Sequence, residues 1–385
     1  MTNRNFDNKI LFSCGDRSAD IYLSFLIKNL QQLSSDNLKT IVLAGDKSQN
    51  LCSEFVENIV SYDAHGFFSP FKLILKFINV LKKVNEILKK GVDAVVLMDY
   101  YGFNIKIAKL AKKYNIKVIY YILPQVWATR KYRIKKIKKY VDYAIVIFPF
   151  EKELFMKEGI KTDYFGHPML DLISVKDFDL ENNKEKNEKI IGLFPGSRKQ
   201  VIKWNLPVML KIVKFYLNNY SKEQKFYIFG FEKYKELYKK LIYRFLGFNL
   251  SENVRIVYNN ELRDKIYLSL AVSGTNLLEN VFYNIPTIVI YKLPLLMYIF
   301  IKKIIYINTI SLPNIILKEK VIPEFIQNRI DIEKLSLEIY NFVSDENRRN
   351  VIINKYNEIK VLLSKENNVS LKVAEKILEF VYGET

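Results

Sequence analysis

Short apolar runs alternate with amphipathic helical stretches along most of this chain, and that alternation dictates a parallel α/β fold. An apolar run followed by a helix returns to the same sheet by a crossover, so successive strands lie parallel. In the first half the strand-like runs are residues 10–13, 40–44, 94–98, 118–122 and 143–148. Amphipathic stretches such as 71–90 and 105–114 lie between them. A second series follows at 190–194, 225–229, 254–257, 270–273 and 287–290. Between the two series, residues 175–188 are polar and charged, with no apolar period. With 385 residues the chain exceeds one typical core. The pattern therefore predicts two Rossmann-like halves with a ligand in the cleft between them: residues 1–174 and 190–360, joined by a polar linker at 175–189.

Charge narrows the partners. Lys and Arg number 60 against 41 Asp and Glu, a net charge of +19. That favours anionic partners: nucleic acid, phosphorylated metabolites or an acidic membrane face. No recognition motif for nucleic acid is present, so a nucleic-acid-binding protein rests on charge alone and is set aside. Two cysteines and two histidines in no cluster exclude a zinc centre or a disulfide scaffold. Asp177-Phe178-Asp179 has the spacing of a metal-binding pair but sits in the polar linker, where solvated charge is the better reading. No metal and no cofactor are expected. The apolar run at residues 10–14 is too short for a signal-peptide core. Residues 293–307 are too short to span a bilayer and are broken by Lys302 and Lys303.

Three strand ends carry chemistry. The run 190–194 ends in Pro195-Gly196-Ser197-Arg198. Gly196 permits a tight turn, Ser197 is expected to cap the next helix, and Arg198 offers a guanidinium fork to phosphate. In the same half, Ser273-Gly274-Thr275 is expected to cap a helix and offer N–H groups, with Glu279 one turn inside to accept ribose hydroxyls. In the first half Asp99 ends an apolar run, where it can serve as a general base or cap a turn. Gln125 and Arg130 follow the next run. Phe67, Phe68, Pro70 and Phe71 open a lysine-rich helix continuing through Leu73, Ile74, Phe77, Ile78 and Leu81, which suits either an interfacial helix or a core helix.

PQVWATR (124–130), PFE (149–151), FGHP (165–168), FPGSR (194–198), SGTNLLE (273–279), PTIVIYK (286–292), SLPNII (311–316) and PEFIQ (323–327) fall in order and spacing. Together they resemble lipid-A-disaccharide synthase, an inverting glycosyltransferase of GT-B architecture. MDYYGFN (98–104) is similar to another motif of that family. The resemblance covers about residues 9–330. It implies transfer of 2,3-diacylglucosamine from UDP to 2,3-diacylglucosamine 1-phosphate (lipid X), giving a β-1,6 disaccharide 1-phosphate and UDP. It implies Asp99 and Arg198 as catalytic residues. For substrate binding it implies Ser18, Asp20, Asn104, Gln125, Arg130, His167, Gly196, Ser197, Ser273, Gly274, Thr275, Glu279, Asn314, Glu324 and Gln327. It further implies a peripheral place on the cytoplasmic face of the inner membrane, an open oligomeric state, and a last helix, 361–385, packing back towards the N-terminal half. The sequence departs from the family pattern at Asp16, Ala19, Leu23, Tyr101, Thr129 and Val201, mostly in the first half. A GT-B enzyme with another acceptor, or a non-catalytic lipid-binding relative, is the alternative.

Overall fold

The computed structural model describes residues 8–35, 37–64, 70–173, 188–247, 251–258, 262–366 and 368–383. It divides into two compact units, Met1–Ser174 with Leu362–Thr385, and Val175–Val361. The first runs β1 (Lys9–Cys14), α1 (Arg17–Leu33), β2 (Lys39–Ala44), α2 (Asp46–Gln49), β3 (Glu54–Asn58), α3 (Pro70–Lys90), β4 (Ala94–Met98), α4 (Tyr101–Lys113), β5 (Lys117–Tyr121), α5 (Arg133–Tyr140), β6 (Tyr143–Val146), α6 (Pro149–Lys157) and β7 (Thr162–Tyr164). The second runs β8 (Ile190–Phe194), α7 (Lys199–Asn219), β9 (Phe226–Phe229), α8 (Lys235–Leu246), β10 (Val254–Val257), β11 (Ile266–Ala271), α9 (Asn276–Phe282), β12 (Thr287–Tyr291), α10 (Leu295–Ile304), α11 (Leu312–Leu317), β13 (Glu324–Ile326) and α12 (Ile332–Ser344). Helix α13 (Glu346–Leu363) leads out of it, and α14 (Val369–Tyr382) belongs to the first unit.

Both sheets are parallel throughout. The first has strand order β3-β2-β1-β4-β5-β6-β7 and the second β10-β9-β8-β11-β12-β13. Each order reverses direction once, between β1 and β4 and between β8 and β11. At such a switch point the two neighbouring crossovers leave on opposite faces and open a crevice at the carboxyl edge. The central strands are buried end to end, as a sheet covered on both faces requires. Leu11, Leu43, Val95, Leu97 and Val118 of the first sheet join Val80, Val84, Ile107, Ala108 and Ala111 of α3 and α4 in one core.

The lysine-rich helix α3 is divided. Phe77 packs 5.1 Å from Phe103 and 5.4 Å from Tyr62, and Leu81 also lies against the core, so these two are not interfacial. Ile74 and Ile78 are exposed. Phe67 and Phe68 lie outside the described residues, as do the side chains of Pro70, Phe71 and Leu73.

The segment Gly166-His167 forms a bracket for the chain's return. Gly166 has φ +123°, and a Cβ there would lie 3.0 Å from the Leu363 carbonyl, so only glycine fits. The His167 N–H donates to that carbonyl at 3.1 Å, and the Tyr164 hydroxyl donates to Leu362 O at 2.7 Å. The Asp171 carboxylate then accepts the N–H groups of Val369 and Ser370, capping the start of α14.

Candidate functional site

In the second unit, register pairs Phe194 with Ala271, so the turns after β8 and β11 emerge side by side at the switch point. The Val272 N–H donates to Phe194 O at 3.0 Å and ties them together. Gly196 takes φ +102°, and a Cβ would sit 2.9 Å from Val201 and 3.2 Å from Val272, so the turn requires glycine. Ser197 and Arg198 are exposed. Ser197 does not cap α7: the cap position is Arg198, whose side chain does not cap the helix, because the turn extends one residue further. The Arg198 charge reaches Tyr291, partly offsetting the rise that burial imposes on that phenol.

The neighbouring turn differs from expectation in the same way. Thr275 takes the cap position of α9 without a side-chain bond. Ser273 does not cap; its hydroxyl donates to Ile310 O at 2.6 Å and pins a remote loop. Gly274 and Thr275 are exposed. Glu279 lies one turn into α9, a third of its side chain open, ion-paired with a buried Arg263. Arg263 stacks 4.9 Å over the Phe194 ring, and burial lowers its pKa to about 10, leaving it charged at neutral pH. Sequence reasoning missed Arg263, which lies outside every motif singled out there.

In the first unit, Asp99 and Tyr100 follow β4 beside the end of β1 and take φ +47° and +43°. Two successive non-glycine residues in left-handed backbone mark a strained turn. The Asp99 carbonyl accepts the Tyr120 hydroxyl at 2.5 Å and the Asn104 amide at 2.8 Å, while its N–H donates to Ile122 O at 3.0 Å. Ile122 and Arg130 are also left-handed, at φ +59° and +58°. Burial first, and then the Asp99 charge, push the Tyr120 phenol well up, so it stays protonated and donates. Asp20, Asp16 and Asp99 all add to burial in raising the Cys14 thiol, which places three carboxylates around the end of β1. The half-buried Ser18 bonds Asp16, the cap of α1, through its N–H and hydroxyl. Gln125 and Arg130 are exposed.

Six residues expected to touch substrate make hydrogen bonds within the framework. Asn104 is fully buried; its amide donates to the carbonyls of Ser13, Met98 and Asp99, and its oxygen accepts from the Ser13 hydroxyl. Asp20 is buried and accepts from the N–H groups of Gly45, Lys47 and Ser48 and from the Ser48 hydroxyl. His167 is 2% exposed, its Nδ1 accepts the Met169 N–H at 3.1 Å, and burial lowers its pKa to about 3, so it is neutral. Asn314 and Glu324 bond each other and the loop backbone at Ile310, Ser311, Val321 and Ile322. Gln327 makes paired bonds to the N–H and carbonyl of Leu293. Glu151, the last residue of the PFE segment, is buried and accepts the Trp127 indole N–H at 2.8 Å, holding the loop between Gln125 and Arg130. Burial lifts its pKa to about 7.

Among the described residues no group of three or more His, Cys, Asp or Glu could hold a metal ion. Asp177 and Asp179 lie outside them.

Comparison with known proteins gives the following. Residues 10–381 match a family model described as lipid-A-disaccharide synthetase. A lipid-A-disaccharide synthase from Coxiella burnetii is 31% identical over 387 residues, covering 98% of this chain and all of that one. The Persephonella marina enzyme of the same name is 31% identical over 348 residues, 88% of this chain and 90% of its own. Among solved structures, the S. aureus MnaA-UDP co-structure superposes with TM-score 0.67 at 14% identity, covering 98% of each chain. Acinetobacter baumannii MurG gives 0.55 at 12%, covering 97% and 99%. At such identities these likenesses establish the shared two-sheet α/β architecture.

Proposed function

The chain belongs to the lipid-A-disaccharide synthetase family, and on that premise we infer that it moves 2,3-diacylglucosamine from UDP onto the 6-hydroxyl of 2,3-diacylglucosamine 1-phosphate. The products are UDP and a β-1,6-linked disaccharide 1-phosphate. The observation that carries the reading is the pair of turns at the second switch point, residues 196–198 beside 273–275, exposed for the most part. Arg198, the Ser197 hydroxyl and the turn N–H groups of Gly274 and Thr275 hold the leaving diphosphate as its charge develops. Glu279, steadied by Arg263, accepts bonds from ribose hydroxyls.

Asp99 takes the proton from the acceptor 6-hydroxyl, the freed oxygen attacks the anomeric carbon, and the bond to UDP breaks on the far face, inverting the centre. Tyr120 and Asn104 hold the backbone carbonyl of Asp99. Arg130 meets a phosphate of donor or acceptor, with Gln125 and Ser18 beside it. Both substrates carry acyl chains, so the enzyme works peripherally at the cytoplasmic face of the inner membrane. No helix among the described residues is long and apolar enough to cross one.

The decisive experiment incubates the protein with UDP-diacylglucosamine and lipid X and reads the products by mass spectrometry. A disaccharide phosphate with equimolar UDP is expected. Transfer of the diacylglucosamine to water or another acceptor, or no product, would sink the reading.

A further inference from the structure

Helix α10 of the second unit buries none of its residues. Leu296 is 84% exposed, Phe300 64%, Leu295 63% and Ile299 46%. At 100° per residue Leu295, Ile299, Lys303, Leu296 and Phe300 fall within an arc of about 140°. Four large apolar side chains therefore share one open face. Scattered exposed apolar residues are ordinary, but a contiguous apolar face marks an interaction surface.

Charge selects the occupant. From Asn280 to Lys318 the chain has no acidic residue, yet Lys292, Lys302, Lys303 and Lys318 fall there. The helix ends on Lys302 and Lys303, and Tyr306, 61% exposed, follows. An apolar face edged by lysines and a tyrosine suits the boundary of an anionic bilayer, where the stems lie along acyl chains and the charged heads stay at the phosphates. A second copy of the same face would set these lysines against each other. Ten helical residues reach roughly 15 Å, against about 30 Å for the hydrocarbon core, so the helix lies in the surface rather than crossing it.

The helix is also firmly mounted. At its start the buried Asn205 side chain bonds the N–H of Lys292 at 2.7 Å and its carbonyl at 3.2 Å. Gln327 does the same for Leu293 at 2.8 and 3.0 Å. Beyond its end, Ile310 is held by the Ser273 hydroxyl and by Glu324. Both mounts lie at the carboxyl edge that carries the diphosphate turns.

We propose that α10 lies in the surface of an anionic lipid bilayer and seats the donor-binding edge of the second unit against it. Its purpose rests on the transferase reading above; its binding chemistry does not. The test sediments the full chain with vesicles of phosphatidylethanolamine and phosphatidylglycerol, and measures turnover separately on detergent-dispersed substrates. Leu295→Ser/Leu296→Ser/Phe300→Ser is expected to lower vesicle partitioning at least tenfold, with circular dichroism and detergent turnover unchanged. Lys302→Gln/Lys303→Gln, which keeps all four apolar side chains, is expected to flatten the dependence on phosphatidylglycerol and salt. Unchanged partitioning of the serine variant overturns the proposal, as does wild-type binding indifferent to anionic lipid. Unchanged partitioning with a shift from oligomer to monomer would make α10 an interface between copies. Loss of vesicle binding in the variant, in a protein that makes no disaccharide, would sustain the docking and sink the transferase reading.

Discussion

Asp99 occupies a turn whose backbone is fixed from three sides, by Tyr120, Asn104 and Ile122. Asp99→Asn keeps that framework and removes the basicity. Loss of a general base costs on the order of 100- to 10,000-fold. Steady-state turnover is therefore expected to fall by that much, with UDP affinity by calorimetry and circular dichroism unchanged. Near-normal turnover would demote Asp99 to a turn residue. At this scale the sequence showed which polar residues leave the strand ends, because a glycine, serine or aspartate directly after an apolar run is visible in one line of residues. It did not announce which way a polar side chain turns. Asp20 and Asn104 look like ligand groups in sequence, but their partners lie at Ser48 and Ser13, 28 and 91 positions away. Arg263 was hidden for the same reason: its partner Glu279 sits 16 positions on, across a strand.

The central strands were legible as apolar runs because both faces of a covered parallel sheet are buried. The edge strands β3, β7 and β13 were not: Glu54–Asn58 and Glu324–Ile326 are only half buried and carry charge, so no apolar run forms. Strand β11 begins at Ile266 rather than four residues later, because Ser269 interrupts the run yet is buried, bonded to Asn280 and Thr287. The bracket at Gly166 belongs to this scale, since it joins β7 to the start of α14. Gly166→Ala would force a left-handed alanine into contact with Leu363. It is expected to destabilise the fold by about 1–3 kcal/mol, read as a lower urea midpoint. Turnover per folded molecule should be unaffected. An unchanged midpoint would show that α14 is not held there.

At the scale of the whole molecule, the buried Glu151 and His167 have stability terms that oppose each other. Glu151 titrates near 4.5 when unfolded and near 7 when folded, so it holds its proton more tightly in the native state. Its contribution is complete below pH 4.5 and is lost as pH rises through 7. His167 is depressed to about 3, so its contribution is complete above pH 6.5 and is lost on acidification. Between pH 5 and 8 the wild type should lose about 2–3 kcal/mol relative to Glu151→Gln, measured by urea unfolding at each pH. Parallel profiles would mean that water reaches Glu151. Four residues at the edge of the first sheet, Asp99, Tyr100, Ile122 and Arg130, stand in left-handed backbone. At about 1–2 kcal/mol each, they consume an amount comparable to the roughly 5–15 kcal/mol net stability of a folded protein. A lineage selected for heat resistance alone would relieve Arg130 first, since its side chain is exposed. Arg130→Gly is expected to gain about 1 kcal/mol by thermal unfolding while losing turnover, whereas Arg130→Ala, equally without the cation, would lose turnover and gain nothing. On the role proposed for its cation, the arginine is kept for activity at a position where its φ angle costs endurance.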